Sequence, residues 1–222
     1  MSSNTPRVVA FGEVMLRMTP EARGERLGQA TAYRVASGGA EANVAAAVAR
    51  LGGSATLISA LPDGPLADGV LAELRSATVG TSLVTRAEGR VGCYWTETGV
   101  GPRASEVVYD RAGSAFSLYD WGALGDDWWS EALAEDAWFH TTGITAALLA
   151  AASGGIPDMA GVRVAAHSSF DLNHRAKLWG PLEGVLRDQG ASVSDAVWAT
   201  ASEATLLLGN ETDFADSLGI PV

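Results

Sequence analysis

Gly38-Gly39 stands directly ahead of a run in which Val44, Val48 and Leu51 recur at helical spacing, and Asn43 falls in the first turn of that helix. Glycine lets a backbone come close to a bound molecule. The unpaired N–H groups of a helix start suit oxygen-rich ligands. A second group of polar side chains lies in residues 168–179 (SSFDLNHRAKLW), where Asp171, Asn173 and Arg175 follow a strand-like stretch. Ligands of open α/β sheets bind beyond the carboxyl ends of the strands, which is where these three would stand. Tyr109 and Arg111 end another extended run, and Tyr94 lies in the one before it. Taken singly, each group also fits a capped, solvated loop. Together, two arginines, two tyrosines and an asparagine can converge on an oxygen-rich anion through charge-assisted hydrogen bonds.

Other patterns carry less. Residues 99–104 (GVGPRA) match G-x-G-x-x-A, but a strand follows instead of the helix that a dinucleotide site needs, so they read as a hairpin loop. Neither a G-x-x-x-x-G-K-[ST] phosphate loop nor a G-x-S-x-G serine elbow occurs. His140, His167 and His174 are not spaced as metal ligands, and no metal site is expected. Trp121, Trp128, Trp129 and Trp138 are expected to pack helices against a sheet. The sequon at Asn210-Glu211-Thr212 reads as a chance match.

The elements that must position the polar groups follow from periodicity and turn signals. Residues 8–18 form a strand-like run interrupted at Gly12-Glu13, and a further extended piece lies near 33–36. A strand at 55–61 precedes a helix over 65–76 that has proline in its first turn. Residues 91–98 and 106–111 form a hairpin. Beyond it come a helix at 126–135, a strand at 137–141, a helix at 145–152 and a strand at 162–171. A helix at 181–189, a strand at 196–200 and a helix at 202–208 complete the pattern. Strand and helix alternate, so the body is α/β with helices on both faces of a parallel sheet, and the hairpin region is a small β-flap upon it.

Composition sets the outer bounds. With 222 residues, 47% of them hydrophobic, the chain can bury a substantial core. The net charge of −11, with Lys177 as the only lysine, excludes a basic stripe for nucleic acid or an anionic membrane. Cys93 is the single cysteine, which rules out a disulfide framework. With neither a signal-peptide pattern nor an apolar run long enough to span a bilayer, the expected location is the cytoplasm.

Six segments, in order, resemble the ribokinase/phosphofructokinase-B sugar kinases, and within them the 2-keto-3-deoxygluconate kinase branch: FGEVMLRMTP, SGGAEANVAAAVARLG, RVGCYWTETG, VVYDRAGSA, WFHTTGIT and FDLNHRAKLW. The resemblance implies a three-layer α/β/α body with a β-lid built from about 13–36 and 82–116. The lid would close over the sugar and offer a homodimer contact. Gly38 and Gly39 would bring backbone against the sugar, and Asn43 would bond its hydroxyls. Tyr94, Tyr109 and Arg111 would reach it from the lid, with Arg111 a partner for a substrate carboxylate. Arg175 would sit between the sugar and the transferred phosphate. A side chain at Gly39 would obstruct the ligand while sparing most of the fold.

By the same resemblance the cofactors are ATP and Mg2+, and the partner is a small sugar or sugar acid. The family's N-x-x-E motif, tied to metal and phosphate, falls on residues 200–203, where Glu203 matches but Thr200 replaces the asparagine. The family's G-A-G-D motif, with the catalytic aspartate and the anion hole, does not occur and would lie beyond Val222. The chain therefore reads as the N-terminal, sugar-binding two-thirds of a kinase domain with its C-terminal part missing, inactive by itself. The alternatives are a non-catalytic sugar-binding or interaction protein and a kinase for another sugar such as fructose.

Overall fold

Side chains of the first strand alternate in direction: Val9 and Phe11 join one core, Ala10 joins another, and all three are buried. A strand buried on both faces belongs at the centre of a layered α/β body. The structure is a computed structural model and describes residues 7–133 and 137–220.

The chain runs through β1 (Arg7–Phe11), β2 (Met15–Pro20), β3 (Tyr33–Gly38), α1 (Ala40–Arg50), β4 (Ser54–Leu61) and α2 (Pro65–Ser76). Two short strands follow, β5 (Val79–Gly80) and β6 (Val84–Arg86), then β7 (Cys93–Glu97) and β8 (Glu106–Asp110). After α3 (Ala115–Leu118) and α4 (Asp126–Leu133) come β9 (Trp138–Thr142), α5 (Gly143–Ser153), α6 (Ala160–Val164) and β10 (His167–Asp171). The last part holds α7 (Ala176–Trp179), α8 (Glu183–Asp188), α9 (Val193–Ala201), β11 (Leu206–Leu208) and α10 (Glu211–Leu218).

Seven strands form the large sheet in the order β11-β10-β9-β1-β4-β5, with β6 also on β4, and every pairing is parallel. Helices α1 and α2 cover one face through Ala42, Ala45, Val70, Leu71 and Leu74. The other face carries the larger core, where Phe11 meets Trp121 and Trp129 edge-on at centroid distances of 4.8 and 5.2 Å. The tryptophans at 121 and 129 thus pack helix to sheet as their sequence context suggested. A second sheet has the order β3-β2-β7-β8, with β2 and β7 parallel and the outer pairs antiparallel. Residues 98–105 turn the β7–β8 hairpin, so the glycine pattern there has no helix behind it.

Several sequence expectations change. The small sheet begins its second segment at Cys93, not near 82, because Val84–Arg86 pairs with β4. Residues 162–164 belong to α6: Gly161 fits under Phe139 and Trp129, and that packing overrides the strand preference of the valines. Residues 196–200 lie inside α9, which starts with a reciprocal cap between Ser192 and Asp195. The leucines expected in a helix at 202–208 instead form β11, paired with Ser169–Asp171. The end of the helix expected at 126–135 falls outside the described residues. Leu51, expected on the buried face of α1, is 88% exposed; the helix packs through alanines, which allow a close approach to the sheet. Among the described residues no helix is long and apolar enough to cross a membrane.

His140 lies in β9 and bonds Ser169 Oγ at 2.9 Å, and burial holds its imidazole pKa down to about 4. The unfolded chain takes up that proton below its ordinary value of 6.5, while the folded chain does so only near 4. This contribution to stability is therefore intact above 6.5 and falls as pH drops toward 4. Between pH 7.5 and pH 5 it should cost about 2 kcal/mol. Urea denaturation at the two pH values, compared with His140→Gln, measures it; an equal pH dependence in the variant would refute the assignment.

Candidate functional site

Two backbone segments meet where the sheets join. The chain leaves the large sheet at Phe11 and enters the small one at Met15, and β3 returns through Gly38-Gly39 into α1. No side chain fits at Gly39, because a Cβ would overlap the carbonyl of Glu13. At Gly38 it would overlap the Tyr94 hydroxyl, and at Gly12 the carboxyl of Glu41. The glycine pair is thus required first by the protein's own packing. Gly39 has extended backbone, so its constraint is steric, not conformational.

This junction roofs a cavity of about 170 Å³ at the carboxyl ends of the large-sheet strands. Gly39 and Asn43 line it from α1, Tyr94 and Tyr109 from the small sheet, and Arg111 and Arg175 from the loops after β8 and β10. With Asn173, seven of the residues singled out in the sequence therefore converge. Gly38 does not face this cavity; it lines a cleft of about 520 Å³ beside α1 with Arg17 and Asn43. A third cleft of about 590 Å³ shares Tyr109, Arg111 and Arg175 and adds His174 and Lys177. Tyr94 and Tyr109 stack at 5.6 Å, and the Arg111 guanidinium lies 5.2 Å from the centre of the Tyr109 ring.

Sequence reasoning missed the two buried carboxylates in the wall, Glu13 and Glu41. Glu41 Oε1 accepts hydrogen bonds of 2.7 Å from both Thr142 and Thr145. Burial pushes its pKa up, and the two hydroxyls pull it back. Glu13 Oε2 stands 3.0 Å from Arg111 Nη2. Burial raises the Glu13 pKa, opposed first by Arg111 and then by the Ser114 hydroxyl. Arg111, expected to be free for a ligand, thus already has one carboxylate beside it. The available signal was a glutamate between two strands, next to a glycine, where neither helix nor strand periodicity accounts for it.

Beyond β10, Asn173 adopts a left-handed backbone with φ of 34°, which turns the loop so that Asn173 and Arg175 reach the cavity. Asp213 Oδ1 accepts the His174 N–H at 3.0 Å and clamps the loop to α10. Arg175 Nη1 donates to the His174 carbonyl, and among the described residues it has no carboxylate within 4 Å. Burial raises the Asp171 pKa at the end of β10. Glu203 is exposed in the turn after α9 and does not line the cavity. A separate N-x-x-acid spacing, Asn210-Glu211-Thr212-Asp213, follows β11. Asn210 and Asp213 cap α10 reciprocally, so the residue read as part of a chance sequon has a structural task. Among the described residues no three His, Cys, Asp or Glu side chains are grouped to hold a metal.

Overpacking at the backbone crossing should be measurable. Gly39→Ala is expected to lose about 1–3 kcal/mol in urea denaturation. Gly28→Ala, where a Cβ meets nothing within 4 Å, is the control. Equal stability of the two variants would show that the crossing tolerates a side chain.

Comparison with known proteins identifies the fold and the family. The chain is 39% identical over 180 residues to a 2-dehydro-3-deoxygalactonokinase of Haloferax volcanii, an alignment covering 80% of this chain and 55% of that protein. It is 28% identical over 223 residues to a probable fructokinase-7 of Arabidopsis thaliana, covering 95% of this chain and 61% of the relative. Among solved structures, the 2-dehydro-3-deoxygluconokinase of Thermotoga maritima superposes with a TM-score of 0.80 at 33% identity, over 99% of this chain and 63% of that one. The chain thus spans between half and two thirds of the length of these relatives. The family description "pfkB family carbohydrate kinase" matches residues 5–219, and the chain belongs to that family.

Proposed function

We propose that this chain carries the sugar-binding part of a kinase that transfers a phosphoryl group from ATP to a hydroxyl of an acidic keto sugar of the 2-keto-3-deoxygluconate type. The observation that carries the reading is the convergence of Asn43, Tyr94, Tyr109, Arg111 and Arg175 on one small cavity at the carboxyl edge of the sheet. Arg175, a guanidinium on this small cavity with no carboxylate within 4 Å among the described residues, favours a sugar acid over a neutral sugar such as fructose. Relatives named for 2-dehydro-3-deoxy sugar acids support the same choice. A solved sugar kinase from Pyrococcus horikoshii, of the same fold, is described in complex with ATP, which supports ATP as donor.

The division of labour follows from position. Asn43 and the stacked tyrosines orient the sugar, and the arginines take its oxygens. Arg175 borders both the small cavity and the wider cleft, so it stands where charge on a transferred phosphoryl would be stabilised. ATP supplies that phosphoryl; Mg2+ has no group of ligands among the described residues. The family's G-A-G-D motif, with base and anion hole, does not occur in these 222 residues. We place the protein in the cytoplasm, with the small sheet's exposed β8 edge as a surface for pairing two copies.

Two outcomes are expected. Calorimetry should detect 2-keto-3-deoxygluconate binding, and Arg111→Ala should weaken it by about 1.5–3 kcal/mol. A neutral analogue should lose less, and equal losses would rule out a contact to the acid group. An ADP-release assay on the 222-residue chain with the same sugar and MgATP should show no turnover. Activity near the roughly 1–100 per second typical of kinases would require a catalytic base within this chain.

A further inference from the structure

Glu13 and Glu41 line the same cavity, and only one of them is satisfied by the protein. Glu41 has its two threonine donors. The Glu13 side chain is 3% exposed; the Ser114 hydroxyl lies close enough to favour its charged form, yet neither carboxylate oxygen receives a hydrogen bond of good geometry. Arg111 is its ion-pair partner, but the Nη2 group that comes within 3.0 Å also contacts Met15 Sδ at 3.4 Å. Arg111 Nε is itself buried without an acceptor. Unmatched polar groups of this kind are costly inside a protein and mark places that an occupant completes.

The fold also makes room for this carboxylate. A Cβ on Gly92 would come within 2.7 Å of Glu13 Oε1, and on Gly39 it would overlap the Glu13 carbonyl. Glu13 sits at the crossing of the two backbone segments, with its main chain packed against Gly39. Rigid, pre-placed polar groups are what a specific binding site requires. Its charge is balanced by Arg111, so the pair suits a neutral hydroxyl that gives its proton to the carboxylate. The unmatched Nε suits a neighbouring ligand oxygen.

We propose that Glu13 reads the ligand directly: its carboxylate accepts a sugar hydroxyl, beside an oxygen of the same ligand that takes the Arg111 Nε proton. The inference rests on the sugar-kinase reading of the cavity. It narrows the ligand to molecules with a hydroxyl donor next to an oxygen acceptor.

Calorimetry on the full 222-residue chain, with 2-keto-3-deoxygluconate and analogues each lacking one hydroxyl, tests it. One analogue should bind the unaltered chain about tenfold or more weakly than the parent sugar. In Glu13→Gln, which keeps the shape and loses the charge, that penalty should shrink several-fold. Binding of every analogue as tightly as the parent sugar overturns the inference without involving a variant that could misfold. An undiminished penalty in Glu13→Gln, checked as folded by near-ultraviolet circular dichroism, does so too. Failure of the unaltered chain to bind any of these sugars overturns the functional reading, and this inference with it.

Discussion

The site depends on one close contact, the crossing of residues 12–14 over Gly38-Gly39. At that point the carbonyl of Glu13 occupies the space a side chain at 39 would need, and the carboxyl of Glu41 occupies the space at Gly12. Backbone in contact with backbone leaves little freedom for sliding, because any shift meets atoms that cannot rotate away. The two sheets are thereby set at a fixed separation. Tyr94, Tyr109 and Arg111 from the small sheet and its following loop meet Asn43 and Arg175 from the large one across about 170 Å³. Relax the crossing, and these groups still exist but no longer face one another.

Much of this arrangement is legible in the sequence. Helical spacing and the glycine pair located α1, the hairpin pattern located β7 and β8, and the polar cluster after residue 170 located the loop that carries Arg175. Local signals failed where long-range packing decides the outcome. The valines of α6 have strand character, yet the helix forms because Gly161 admits the rings of Phe139 and Trp129. The leucines of β11 have helix character, yet they form a strand because β10 offers an unpaired edge. Ser192 and Asp195 did hold a local signal, the reciprocal cap of α9.

The buried carboxylates were harder to read. A glutamate is nearly always a surface residue, and its burial depends on partners far away in sequence: Arg111 for Glu13, Thr142 and Thr145 for Glu41. Periodicity carries no information about such pairs.

The parallel pairing of β2 with β7 also bears on how the protein comes to exist. Parallel neighbours cannot be joined by a tight turn, and here β3, α1, β4, α2, β5 and β6 all intervene between them. The walls of the cavity are drawn from the chain's opening strands, its middle hairpin and the loop after β10. During synthesis the ribosome must release most of this sequence before those walls can meet. A topology of this kind makes the cavity one of the last features to form, because its walls close only over long loops.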